Sequence, residues 1–163
     1  MRPDKLDKAV DVFIWNIIEI HSQLEDIHSS WAKLLGVTEP QWLMLMGITE
    51  LDIGKGVSGT DLAKKLRVHP SFVTGQAKIL EKQKLILRQP RSDDARFVLM
   101  SLSPKAKIDF EKISEKMIAL NLTLLKDLNE EVFVDLNTTL AAISKNARLG
   151  SQLLAIDIDT TSK

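Results

Sequence analysis

The 163-residue chain is 44% hydrophobic and 27% charged, enough to bury a core and unlike a disordered segment, and with no cysteine it has no disulfide, thiolate zinc site or cysteine redox switch. No apolar run approaches the roughly 18 to 20 residues of a membrane span, and no apolar stretch of signal-peptide type follows the charged N-terminus, so a cytoplasmic protein without a membrane partner is expected. Lys plus Arg equals Asp plus Glu at 22 each, yet residues 58–96 hold nine cations against four acids, a surplus of five that the rest of the chain cancels; such a basic face suits nucleic acid, unless it is a chance cluster on a solvated surface.

Leu6, Val10, Phe13, Ile17, Ile20, Leu24, Ile27, Trp31 and Leu34 recur at spacings of four and three, which predicts a first helix of about eight turns with one apolar stripe. Gly36 stops it. Thr38-Glu39-Pro40-Gln41 reads as a capping box opening a second helix that carries Trp42, Leu45, Met46 and Ile48. The glycines of "DIGKGVSG" (52–59) end that helix.

Ser58 then caps a short helix with Leu62, Ala63 and Leu66 facing inward. Beyond Val68, "HPSFVTGQAKILEKQKL" restarts a helix with Pro70 near its first turn and Val73, Ala77 and Leu80 on the buried face. His69, Ser71, Thr74, Gly75 and Lys78 are left off that face, the pattern of a helix-turn-helix, although periodicity alone also allows a generic helical hairpin.

Leu85-Ile86-Leu87 and Phe97-Val98-Leu99-Met100 flank the charged turn of "RQPRSDDARFVLMSLS" (88–103), which predicts a projecting two-stranded wing with Pro90 at a strand end. Arg88 belongs to its basic surface, and Arg91 and Arg96 sit at the tip, where arginine reaches phosphates or a narrow minor groove. Asp93 or Asp94 beside an arginine has a different task, fixing the shape of the loop through a bidentate pair.

Ser103-Pro104 caps a helix expected over about 104–127, with Ile108, Ile113, Met117, Leu120, Leu124 and Leu128 available for burial. Asn129-Glu130-Glu131 opens another, carrying Val132, Leu136, Leu140 and Ile143. Of the tail from Leu149 to Lys163, the first part is expected to pack on the helical body and the last residues to be disordered.

"LILRQPRSDDARFVLMSLSPKA" resembles the wing of the MarR family of bacterial transcriptional regulators, an Asp-x-Arg followed by a strand and a Leu-Thr/Ser segment, here Asp94, Arg96, Leu102 and Ser103. Helix order and lengths extend the resemblance over about residues 5–148. It implies a mainly α fold, a winged helix-turn-helix with a small β-hairpin wing, in a homodimer whose first and last helices form the body. A single chain, 1–163, then divides into a DNA-binding lobe at about 38–102 and helical dimerisation regions at about 5–35 and 104–155. Ser71, Thr74, Gly75 and Lys78 fall on recognition-helix positions and Arg96 on the wing arginine that enters the minor groove of a pseudo-palindromic double-stranded operator. Two positions depart from the family: Gly75 stands where members often carry arginine, and Lys84 replaces the glycine usual before the first wing strand.

No catalytic residues, metal ligands or cofactor are expected. His21, His28 and His69 lack metal-binding spacing, and "DIGKGVSGT" lacks the Gly-Lys-Ser/Thr of a phosphate-binding loop. The resemblance also implies a small aromatic effector, a carboxylate or phenol, that releases a repressor from DNA. His21, His28, Trp31 and Trp42 are its candidate contacts, with rings to stack and a histidine as polar partner, although Trp31 lies on the core stripe. Trp15 lies off that stripe and is free to meet a partner subunit or the ligand. The competing reading is a winged-helix interaction module whose basic face takes an acidic protein.

Overall fold

The computed structural model describes residues 3–91, 94 and 97–161. Among the described residues, six helices and three strands follow in the order α1 (Pro3–Leu35), α2 (Glu39–Leu51), β1 (Val57–Ser58), α3 (Gly59–Leu66), α4 (Pro70–Lys82), β2 (Ile86–Pro90), β3 (Val98–Leu102), α5 (Pro104–Leu124) and α6 (Glu130–Thr161). They fall into two compact units, Met1–Ile113 and Ser114–Lys163.

In the first unit, helix ends are set by local chemistry. Gly36, at φ +67°, closes α1 with its N–H on the Lys33 carbonyl and the Val37 N–H on that of Ala32, the paired bonds of a Schellman stop. Gln41 reaches back from the first turn of α2 to accept the Thr38 N–H at 3.1 Å. Ser58 accepts the Asp61 N–H at 3.1 Å and so caps α3. The same Schellman pairing ends α3 at Arg67 and α4 at Lys84, both left-handed without being glycine, at φ +55° and +61°. Lys84 thus carries the strain of a left-handed backbone without being glycine, and two hydrogen bonds of the stop offset it.

Met44, Leu45, Ile48, Leu62, Val73, Leu80 and Ile86 form the buried centre, where α2, α3 and α4 meet one face of the sheet. Met44, rather than Met46, completes the buried side of α2. Strands β2 and β3 pair as the expected two-stranded wing, and β1 adds a third strand to their sheet in the order β1-β3-β2, with Val57 opposite Met100 and Arg88 also opposite Met100 from the other side. Gly56, at φ +77°, brings the chain against β3 so closely that a Cβ there would lie 3.0 Å from Leu99 Cβ.

Helix α5 ends at Leu124, one turn before the expected boundary, and its inward residues are Ala106 and Ile113 with half-buried Phe110, while Ile108 is exposed. In the second unit, Asn129 Oδ1 accepts the Val132 N–H at 2.9 Å to cap α6. The helix then runs without a break past Gly150 to Thr161, so the described part of the tail continues α6. Leu149, Leu153 and Leu154 continue its helical spacing, and one interior glycine costs about 1 kcal/mol, too little to end it.

Candidate nucleic-acid interface

The core fixes which side of α4 is free. Val73, Ala77 and Leu80 are buried at spacings of four and three, so the opposite side carries Ser71, Gly75, Lys78 and Lys82, all exposed except half-shielded positions beside them, with exposed Thr74 on the flank toward the wing. His69 caps this helix. Its Nδ1 lies 3.3 Å from the Ser71 N–H and 2.7 Å from Ser71 Oγ. For Nδ1 to accept that N–H, the proton of the neutral ring sits on Nε2, which gives the helix entrance an additional donor. Thr74 Oγ1 donates to the Pro70 carbonyl at 3.1 Å.

Gly75 has nothing within 4 Å of where a side chain would begin. The site is open, so the glycine is not there for packing. Gly75→Ala should stabilise the fold by about 1 kcal/mol through helix propensity alone, read as a higher denaturation midpoint by circular dichroism. A loss of stability would show that the position is packed.

The wing is tied to α4 by charge. Arg88 on β2 pairs with Glu81 of α4 at 2.9 Å, so this candidate DNA-binding residue is placed to hold the strand against the helix end. At the tip, the Arg91 N–H donates to the Phe97 carbonyl at 2.8 Å, and its guanidinium lies 4.6 Å from the centre of the Phe97 ring. The Asp94 carbonyl accepts the Phe97 N–H at 3.0 Å, so its backbone shapes the turn. Asp93 and Arg96 lie outside the described residues. Thr74, Ala77, Arg88, Phe97 and Val98 help line a cavity of about 280 Å³ in the angle between α4 and the wing. Across α2 and α3, Lys65 pairs with Glu50, so part of the basic surplus is neutralised locally.

The four candidate ligand-binding residues do not form one cluster. Trp42 is 0% exposed, stacked on Phe110 at 5.3 Å and 12° and tilted against Trp31 at 6.5 Å. Its Nε1 has no hydrogen-bond partner among the described residues. His28, half-buried, precedes Trp31 by three residues, about one turn of α1. His21 is exposed, 3.5 Å from Glu25, and ten residues before Trp31, about 15 Å along the helix. Trp15, off the stripe as expected, is 68% exposed. Phe110 escaped the sequence reading; its spacing of four from Ala106 and three from Ile113 was the available signal. Among the described residues, no group of three or more His, Cys, Asp or Glu is gathered as metal ligands would be.

Residues 37–98 match the MarR family model. The chain is similar in structure to the transcriptional regulator SlyA (24% identity, 83% of this chain and 93% of that one, TM-score 0.68). It is similar also to MepR of S. aureus, solved in complex with DNA (18%, 83% and 96%, 0.70), and to AbsC, a MarR family transcriptional regulator from Streptomyces coelicolor (19%, 85% and 93%, 0.71). No curated protein matches the sequence closely.

Proposed function

We propose that this chain, whose residues 37–98 belong to the MarR family, is a sequence-specific DNA-binding transcriptional regulator: a homodimeric repressor of a pseudo-palindromic operator, released by a small aromatic carboxylate or phenol. One observation carries the DNA reading. On α4, a fully packed inner face backs an outer face of hydroxyls, an N-terminal imidazole and lysines, next to a β-wing bearing arginine. A helix entering a major groove needs that division, with small polar groups for base edges and cations for phosphates. That MepR was solved with DNA supports the reading.

The dimer reading rests on apolar side chains left exposed on the long helices, Val12, Ile14 and Ile18 on α1 and Val132, Val134 and Leu153 on α6 among them. A second subunit would bury them and set two recognition helices on one duplex. The effector reading is supported by Trp42 Nε1, a buried donor to which the oxygen of an aromatic acid offers an acceptor among stacking rings. Release then follows if the ligand binds the form of the dimer that grips DNA poorly.

Fluorescence anisotropy with the duplex upstream of the protein's own gene, against a scrambled duplex across a salt series, tests the central claim. Tight binding to the native duplex alone is expected. Arg96→Ala should weaken binding to both duplexes and lower the slope of log affinity on log salt by about 0.9 for each phosphate that is no longer neutralised. Equal, weak binding to both duplexes by the unaltered protein would favour the interaction module with an acidic protein partner. Wild-type behaviour of Arg96→Ala at every salt concentration would remove the wing from the interface.

A further inference from the structure

The outward side of α4 is not uniformly polar, and what breaks the pattern bears on which bases it reads. Phe72 is 39% exposed and Ile79 44%. Seven residues apart, they lie on one line along the helix, and Gly75 between them leaves bare backbone with open space above it. Lys78 and Lys82 follow the neighbouring line, both exposed. The surface is thus an apolar strip with a gap, bordered by cations.

Duplex DNA matches that arrangement. Its phosphates flank the groove and suit the lysines, and the floor of the major groove offers one apolar group, the C5-methyl of thymine. The gap at Gly75 lets the helix backbone approach the base edges, so the side chains on either side reach the floor. Phe72, in the first turn, is nearer the end of a recognition helix that enters the groove. Resting on the DNA-binding reading above, we infer that Phe72, with Ile79 behind it, is a specificity-determining residue that reads a thymine methyl in each half-site.

The test uses the full chain to select a duplex from a random-sequence pool. Affinity is then measured for that duplex and for versions with each thymine replaced in turn by deoxyuridine, which lacks only the methyl. One thymine per half-site is expected to respond, each replacement weakening binding about fourfold, the factor for burying one such carbon. Phe72→Ser should bind the thymine duplex about tenfold more weakly and lose no more on deoxyuridine replacement, whereas Phe72→Leu keeps the thymine preference. The deoxyuridine series on the unaltered protein decides the matter whether or not Phe72→Ser folds. Deoxyuridine tolerated at every position, or a thymine preference undiminished in a folded Phe72→Ser, overturns the inference and leaves the DNA-binding reading standing. A pool from which no sequence is enriched overturns that reading instead.

Discussion

Trp42→Ala should destabilise the fold by about 3 kcal/mol, measured by denaturant unfolding followed by far-UV circular dichroism at matched protein concentration. The side chain is fully buried and stacked on Phe110 with Trp31 beside it, so truncation empties a ring-sized volume in a packed region; such changes cost about 3–5 kcal/mol. The lower end of that range applies because truncation also removes the unpartnered Nε1–H, whose burial opposes folding. Trp42→Phe separates the two effects. It keeps a stacked ring, removes the donor, and should cost about 1 kcal/mol or less, so it is the variant that asks whether an effector uses Nε1. DNA binding retained and effector release abolished is the expected result for Trp42→Phe. A Trp42→Ala protein as stable as the parent would mean that this ring is not part of the core.

The contrast between Trp42 and Trp31 shows where sequence reading reaches and where it stops. Period and capping are local, so α1 to α4, the stop at Gly36, and the caps at Ser58, Ser103 and Asn129 were all legible. Strand β1 was not, because two residues carry no alternation to read, and its pairing with β3 spans some forty residues of chain. The apolar stripe of α1 identified a helix but not what covers it. Val10, Phe13 and Ile17 remain exposed on a single chain, and no spacing distinguishes a core face from a subunit face. At the site, the free positions of α4 followed directly from the buried ones. The partners did not: Glu81 for Arg88 and the Phe97 ring for Arg91 meet across chain reversals whose geometry no spacing gives, and Phe110 reaches Trp42 from far along the chain. His21 was grouped with Trp31 because both lie near one stripe, yet a straight helix keeps them about 15 Å apart.

Ser103→Ala should cost about 2–3 kcal/mol, a large effect for the removal of a single oxygen. The side chain is 4% exposed, and its hydroxyl makes two bonds of opposite sense: it accepts the Ala106 N–H at 3.0 Å, capping α5, and donates to the Lys84 carbonyl at 2.7 Å. Its own N–H adds a third link, to the Leu85 carbonyl at 3.0 Å. Removing a cap of this kind costs about 1 kcal/mol, and leaving a shielded carbonyl without its donor about 1–3 kcal/mol more. The carbonyl belongs to the left-handed residue that turns the chain from α4 into the wing, so the bond also holds that turn in place. Ser103→Asp distinguishes the two roles. A carboxylate caps as well as a hydroxyl but has no proton to give, and its charge faces the Lys84 oxygen, so it should remain destabilised despite restoring the cap. If the hydroxyl mattered only as a cap, Ser103→Asp would match the parent. DNA affinity provides the second readout, because a slackened turn at Lys84 lets the wing move against α4 and should weaken binding even where the protein remains folded.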